Sequence, residues 1–509
     1  MKTVLALLRL ALLRLALLLL ASLLLASLTG LAQPTISYTA SFENAVHHEA
    51  VITATYSGLP RGTLEARFSR SSPGRYALHE FAKNVYNVTA VDSRGRPLRI
   101  ARPNPHQWDI AGHDGTVTIA YTLFADQADG TYSGIDRSHA HLMMPATFIW
   151  ARGWDALPIR ITFQIPGGSG WSIATQLLPT GEENVFTAPH LQYFMDSPTE
   201  LAPLTFREWT DSSGKAPQTI RLALHTEGTG EEADVYAAMA RTIVEEEKAV
   251  FGLLPDYEGG TYTFLADYLP YVSGDGMEHR NSTSLVSTGT LKADAASFLG
   301  TLAHEFFHSW NVERIRPKSL EPFNFEEANM SEELWFAEGV TSYYQALVMQ
   351  RAGMTSVERF ARSISGTVNA MVTSPARSYF SAAEMSAQAP FVDAALSMDV
   401  QNRENTYISY YTWGSAIGMG LDLTLRTDYP GTTLDDLMRR VWEVHGRIER
   451  PYTNDDLRTA LGDVTHDTIF AGRFFRDYIE GKHIVDYETL LAQAGFLLRK
   501  AKPGKASAG

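Results

Sequence analysis

The chain has 509 residues, more than one hydrophobic core can serve, and two to four domains are expected. Hydrophobic residues at 45% and charged residues at 20% describe a folded globular protein rather than a disordered one. A net charge of −14 argues against binding nucleic acid or anionic membranes. The absence of cysteine excludes disulfides, thiolate ligands and a thiol nucleophile, so any transition metal must be held by His and carboxylates.

Residues 1–32 read as a secretory signal peptide. Lys2, Arg9 and Arg14 precede and punctuate a leucine-rich run, and Gly30-Leu31-Ala32 supplies small residues before Gln33. An uncleaved membrane anchor is the alternative. The expected product of cleavage is an exported protein, periplasmic or extracellular, with no stable membrane insertion, because no second long apolar run follows.

From residue 33 to 226 the hydrophobic period is two. Ile36, Tyr38, Ala40 and Phe42 alternate with polar residues, as do Ile52, Ala54 and Tyr56; Val117, Ile119, Tyr121 and Leu123; and Ile220, Leu222 and Leu224. Turn residues such as Ser93-Arg94-Gly95 separate the runs, which predicts an N-terminal antiparallel β-sandwich-like domain. Within it, Asp129 to Asp136 is polar and loop-like. His139 and His141 beyond it could begin a metal site, but without a recognisable third ligand they read as loop hydrogen-bonding residues.

The period changes after Thr226, and residues 227–499 form a second, mainly helical domain. Glu231 to Phe251 carries Val235, Met239 and Ile243 four apart, the spacing of an amphipathic helix. Tyr262 and Phe264 suggest a strand, and the turn Ser273 to Gly276 leads into Met277-Glu278-His279. A helix is predicted from Asp294, as its cap, to Arg316, before Pro317. Ser331 is expected to cap a further helix over Glu332 to Arg351. Thr373 to Thr406 is weakly periodic and reads as an insertion or substrate-side loop. Helices follow at Leu434–Val444, Asp455–Leu461, Ile469–Ile479 and Tyr487–Leu498, and residues 500–509 form a disordered tail.

The helix from Asp294 contains His304-Glu305-Phe306-Phe307-His308. Residues four apart share a helix face, so both imidazoles project together, and Glu305 can reach a water held between them and a substrate. Such a site needs one more protein ligand. Glu338, in Trp335-Phe336-Ala337-Glu338-Gly339, lies on the next helix beside a glycine that permits close approach, and is the best candidate. Tyr410 and Tyr411 are candidates for the donor to an oxyanion.

These motifs, together with Gly276-Met277-Glu278-His279 and Asn311 to Pro317, resemble the glycyl aminopeptidase family of zinc gluzincins, related to the aminopeptidase N family. The 29 residues between His308 and Glu338 are similar to that family's gap. The resemblance implies a thermolysin-like catalytic domain with one Zn²⁺ per chain at His304, His308 and Glu338, and Glu305 as general base. It further implies Glu278, with Gly276 and Met277, at the substrate's free N-terminus, and Tyr411 as the transition-state tyrosine. Trp413 stands where the family has Lys. No C-terminal PDZ domain is expected past the last predicted helix. The implied function is removal of small N-terminal residues, Gly or Ala, from peptides. A zinc endopeptidase with a structural Glu278, or a non-catalytic peptide-binding protein, are the alternatives.

Overall fold

The computed structural model describes residues 34–392 and 399–500; the predicted signal peptide, part of the 373–406 segment and the tail beyond residue 500 lie outside them. The N-terminal strands build a seven-stranded sheet around Thr35–Ser41. This strand pairs antiparallel with Glu49–Ser57, as its alternation predicts. Its other neighbour, Ile159–Gln164, is parallel, which departs from the expected all-antiparallel arrangement. The pleat sends Tyr38, Ile52, Ile119 and Phe163 inward, against a four-stranded sheet that contributes Leu64, Ala66, Trp108 and Ile110. A smaller sheet links Ser172–Thr175, Thr199–Ala202, Ala140–Leu142 and Gly134–Ile135.

The second domain begins with strands that the alternation alone assigned to the first. Thr205–Asp211 and Gln218–Thr226 belong to a five-stranded sheet with Thr261–Tyr268, Ser282–Ser287 and the edge strand Asp275–His279. A division at residue 226 would cut this sheet, because a period of two identifies a strand and not the sheet it joins. Gln218–Thr226, Thr261–Tyr268 and Ser282–Ser287 run parallel, and Asp275–His279 returns antiparallel along the open edge.

Helices cover this sheet. Gly230–Phe251 starts at a capping box formed by Thr229 and Glu232 and stops at Gly252 in the left-handed region. The helix bearing the His304 motif runs Leu291–Phe307, capped by Thr290, whose hydroxyl accepts from the Ala293 amide. Asp294 instead accepts from the Thr290 amide. This helix ends well before Arg316, and residues 308–314 continue as turns. A short 3-10 turn at Lys318–Leu320 comes next, followed by a π-turn, Trp335–Val340, that leads into the α-helix Thr341–Arg351. Val357–Thr373 is a helix that the sequence reading missed, and the described parts of 373–406 are short helical pieces rather than open loop. The later helices fall at Tyr410–Asp428, Leu434–Val444, Asn454–Thr465, Thr468–Phe474 and Tyr487–Gln493. No described helix is long and apolar enough to cross a membrane.

A candidate metallopeptidase centre

The Leu291–Phe307 helix lays His304 and His308 one turn apart on its last turns, with ring centroids separated by 4.8 Å. His308 is the C-cap but keeps helical φ and ψ, so its ring still follows the helix face. Just beyond it the chain folds back through Asn311. The Asn311 carbonyl accepts from His308 Nδ1, which leaves Nε2 as the ring's outward-facing nitrogen. The Asn311 side chain donates to the carbonyls of Phe336 and Ala337 at 3.1 and 3.3 Å. One residue therefore orients an imidazole and holds the π-turn against it.

That π-turn carries Glu338. Its Oε2 lies 3.4 Å from His304 Nε2 and 3.2 Å from His308 Nε2. Gly339 and Gly414 make the approach possible. A Cβ on Gly339 would stand 2.3 Å from the Gly414 Cα, and one on Gly414 would stand 1.9 Å from the Trp335 carbonyl oxygen. The other carboxylate oxygen of Glu338 accepts from the Tyr76 hydroxyl at 3.1 Å. Tyr76 is buried and comes from the N-terminal domain, 262 residues away in sequence.

Glu305 and Glu278 complete the cluster. One ligand atom each from Glu278, Glu305 and His308 lie within 4.8 Å of one another. Gly276 on the edge strand leaves the room: a Cβ there would meet Glu305 Oε1 at 2.3 Å. Strand alternation turns Met277 the other way, so its side chain is buried in the core of the N-terminal domain. The edge strand is pinned from that domain. Arg75 pairs with Asp275, and the Gly130 amide donates to the same carboxylate at 2.9 Å. Tyr411 stands over His304, with centroids 5.9 Å apart, and borders a cavity of about 210 Å³ shared with Gln345 and Ser415. Tyr410 is buried beside Tyr76, Leu334 and Ala337.

The electrostatics are those of carboxylates and imidazoles crowded out of water. Burial alone would raise the Glu338 carboxyl, but His308 and His304 outweigh it and hold it well below the usual carboxylate range. Burial pushes Glu305 well up against the pull of His308, and Glu278 and Glu338 add to the push. Burial also raises Glu278. His308, which burial would lower, is held up at about 10, chiefly by Glu338 and Glu278.

The residues fit a metal. Buried His308 Nε2 and Glu305 Oε2 have no hydrogen-bond partner. The spacings of 3.2 and 3.4 Å match the edge of about 3.3 Å between ligands bound tetrahedrally at about 2.0 Å. Sequence reasoning identified each member of this cluster but missed two supports. Asn311 follows the motif closely and could have been sought as the partner of His308. Tyr76 has no local signal at all.

Fold and cluster together define a metallopeptidase, and comparison with known proteins identifies its family. Residues 37–203 match the Peptidase M61 N-terminal domain and residues 297–417 match M61 glycyl aminopeptidase. The two matches together cover more than half of the chain, and the protein belongs to the M61 peptidase family. Among solved structures, an aminopeptidase N family protein from Idiomarina loihiensis superposes with a TM-score of 0.82 at 22% identity, covering 93% of this chain and 82% of that one. Aminopeptidase A of Legionella pneumophila, solved with aspartic acid, gives 0.51 at 12% identity, over 87% of this chain and 49% of that one. These likenesses establish the shared fold. No curated protein matches the chain.

Proposed function

We propose that the protein is an exported zinc aminopeptidase that removes small N-terminal residues, Gly or Ala, from peptides. The observation that carries the catalytic part is the meeting of half-buried His304 with buried His308 and Glu338 at tetrahedral spacing, with Glu305 and Glu278 beside them. The small-residue preference rests on the family, and export rests on residues 1–32.

His304 Nε2, His308 Nε2 and Glu338 Oε2 would hold the metal, which when bound supplies a Lewis acid and lowers the pKa of a water. His308 would have to give up its proton to serve as a ligand, so affinity would fall as pH is lowered. Glu305, as carboxylate, takes a proton from the attacking water and returns it to the leaving amine. Glu278 presents a buried carboxylate to the substrate's α-ammonium group, so the neutral amide of an internal residue finds no partner there. The phenol of Tyr411, over His304, donates to the developing oxyanion.

The test is hydrolysis of glycyl and alanyl peptides, free and N-acetylated, by wild type and Glu305→Gln. Free-amine peptides should be cleaved and their acetylated forms spared, with Glu305→Gln inactive but still loaded with metal. Equal cleavage of acetylated peptides would make the enzyme an endopeptidase. Undiminished turnover by Glu305→Gln would overturn the mechanism.

A further inference from the structure

A second cluster lies where the N-terminal domain rests on the catalytic sheet. His139, Glu200, His225 and Asp267 are all buried, and one ligand atom from each lies within 4.8 Å of all the others. His225 and Asp267 are register partners on the parallel strands Gln218–Thr226 and Thr261–Tyr268. Glu200 and His141 are register partners on Thr199–Ala202 and Ala140–Leu142, and His139 immediately precedes the latter strand. Each domain contributes one imidazole and one carboxylate.

We propose that these four side chains hold a divalent transition metal, zinc by the chemistry of the donors, in a closed site that clamps the two domains together. Three atoms aimed into the cluster are buried without a hydrogen-bond partner: His139 Nε2, Asp267 Oδ2 and Glu200 Oε1. His139 Nε2 and Asp267 Oδ2 face each other only as a long ion pair, and Glu200 Oε1 is left without a hydrogen bond, which is costly for a buried polar atom. His139 Nε2 and Asp267 Oδ2 stand 3.4 Å apart, too long for a good hydrogen bond and close to the ligand–ligand edge of about 3.3 Å in a tetrahedral zinc site.

The partners of His139 and Glu200 match those of ligands, whereas His225 Nδ1 lies 2.7 Å from Asp267 Oδ1 in a hydrogen bond that a bound metal would replace. His139 Nδ1 faces Asp136 Oδ1 at 3.0 Å, which assigns the proton to Nδ1 and turns Nε2 inward. Glu200 Oε2 is taken by His141 Nδ1 at 2.9 Å, and His141 Nε2 lies 2.9 Å from the Asp129 carbonyl, so Oε1 of Glu200 remains for the centre. Two imidazoles with two carboxylates suit zinc and disfavour calcium or magnesium, which take oxygen ligands and keep water. Four protein ligands leave no open position, so the role is structural rather than catalytic.

The test measures metal content of the full-length protein by elemental analysis after loading with zinc and removal of free metal. Wild type should carry two equivalents. His304→Asn, which disables the catalytic cluster, should keep one. His225→Asn should also keep one, and the double variant none. Added zinc should raise the Tm of His304→Asn but not that of the double variant. If His225→Asn fails to fold, Glu200→Gln, which can still hydrogen-bond His141, takes its place. A folded His304→Asn protein without metal overturns the proposal, as does an equivalent that survives in the double variant. Failure of the catalytic reading looks different, as metal missing from His225→Asn.

Discussion

Tyr76→Phe isolates the reach of the N-terminal domain into the catalytic cluster. It removes one hydroxyl and keeps the ring that packs edge-on against Tyr410 at 6.4 Å. The lost hydrogen bond, 3.1 Å long and buried at both ends, has an ionised acceptor because His308 and His304 hold Glu338 in its charged form. Such bonds contribute about 1.5–3 kcal/mol. Removing a hydrogen-bond partner of a metal ligand weakens metal affinity by about 10- to 100-fold, and that is the expected effect here. Competition with a chromophoric chelator measures it directly. The catalytic rate of fully loaded enzyme should change less than the affinity, since Tyr76 positions Glu338 rather than touching substrate. A dissociation constant within about threefold of wild type would refute the reasoning, because Tyr76 would then not be orienting Glu338 for the metal.

Two further predictions concern stability. Gly414→Ala places a Cβ 1.9 Å from the Trp335 carbonyl, where only backbone could give way, so it should cost at least about 1–3 kcal/mol and displace Glu338; thermal unfolding together with activity checks this, and an unchanged Tm would contradict the close helix contact. Glu247 is fully buried on Gly230–Phe251 with neither carboxylate oxygen hydrogen-bonded, and burial pushes its carboxyl well up. The folded protein keeps this proton after the unfolded chain, near its ordinary pKa of about 4.3, has released it, so stability falls as pH rises above that value. Glu247→Gln should flatten that decline in denaturant titrations between about pH 5 and about pH 8; an equally steep decline in the variant would place the dependence elsewhere.

The parts of the protein that were legible in its residues are those governed by near neighbours. His304 and His308 share a face because four residues make about one helical turn. Leu434–Val444 falls where its apolar spacing predicts, and Thr453 with Asp456, three residues apart, forms a capping box at the start of Asn454–Thr465. Gly339 beside Glu338 signals a close approach, although its sequence does not distinguish a π-turn from ordinary helix.

Tertiary packing settled matters that no local period could carry. It assigned Thr205–Thr226 to the catalytic sheet and made Thr35–Ser41 parallel to Ile159–Gln164, because a pleat repeats every two residues whatever strand lies beside it. It brought Tyr76 to Glu338 and turned Met277 into the opposite core. His139 shows the difference most clearly. In the sequence it stood two residues from another histidine with no third ligand in view. In the folded chain it faces Glu200, His225 and Asp267, which come from 61, 86 and 128 residues further on. Helical and strand periodicities act over a few residues, whereas these neighbours meet only when two sheets bury their apolar faces against one another.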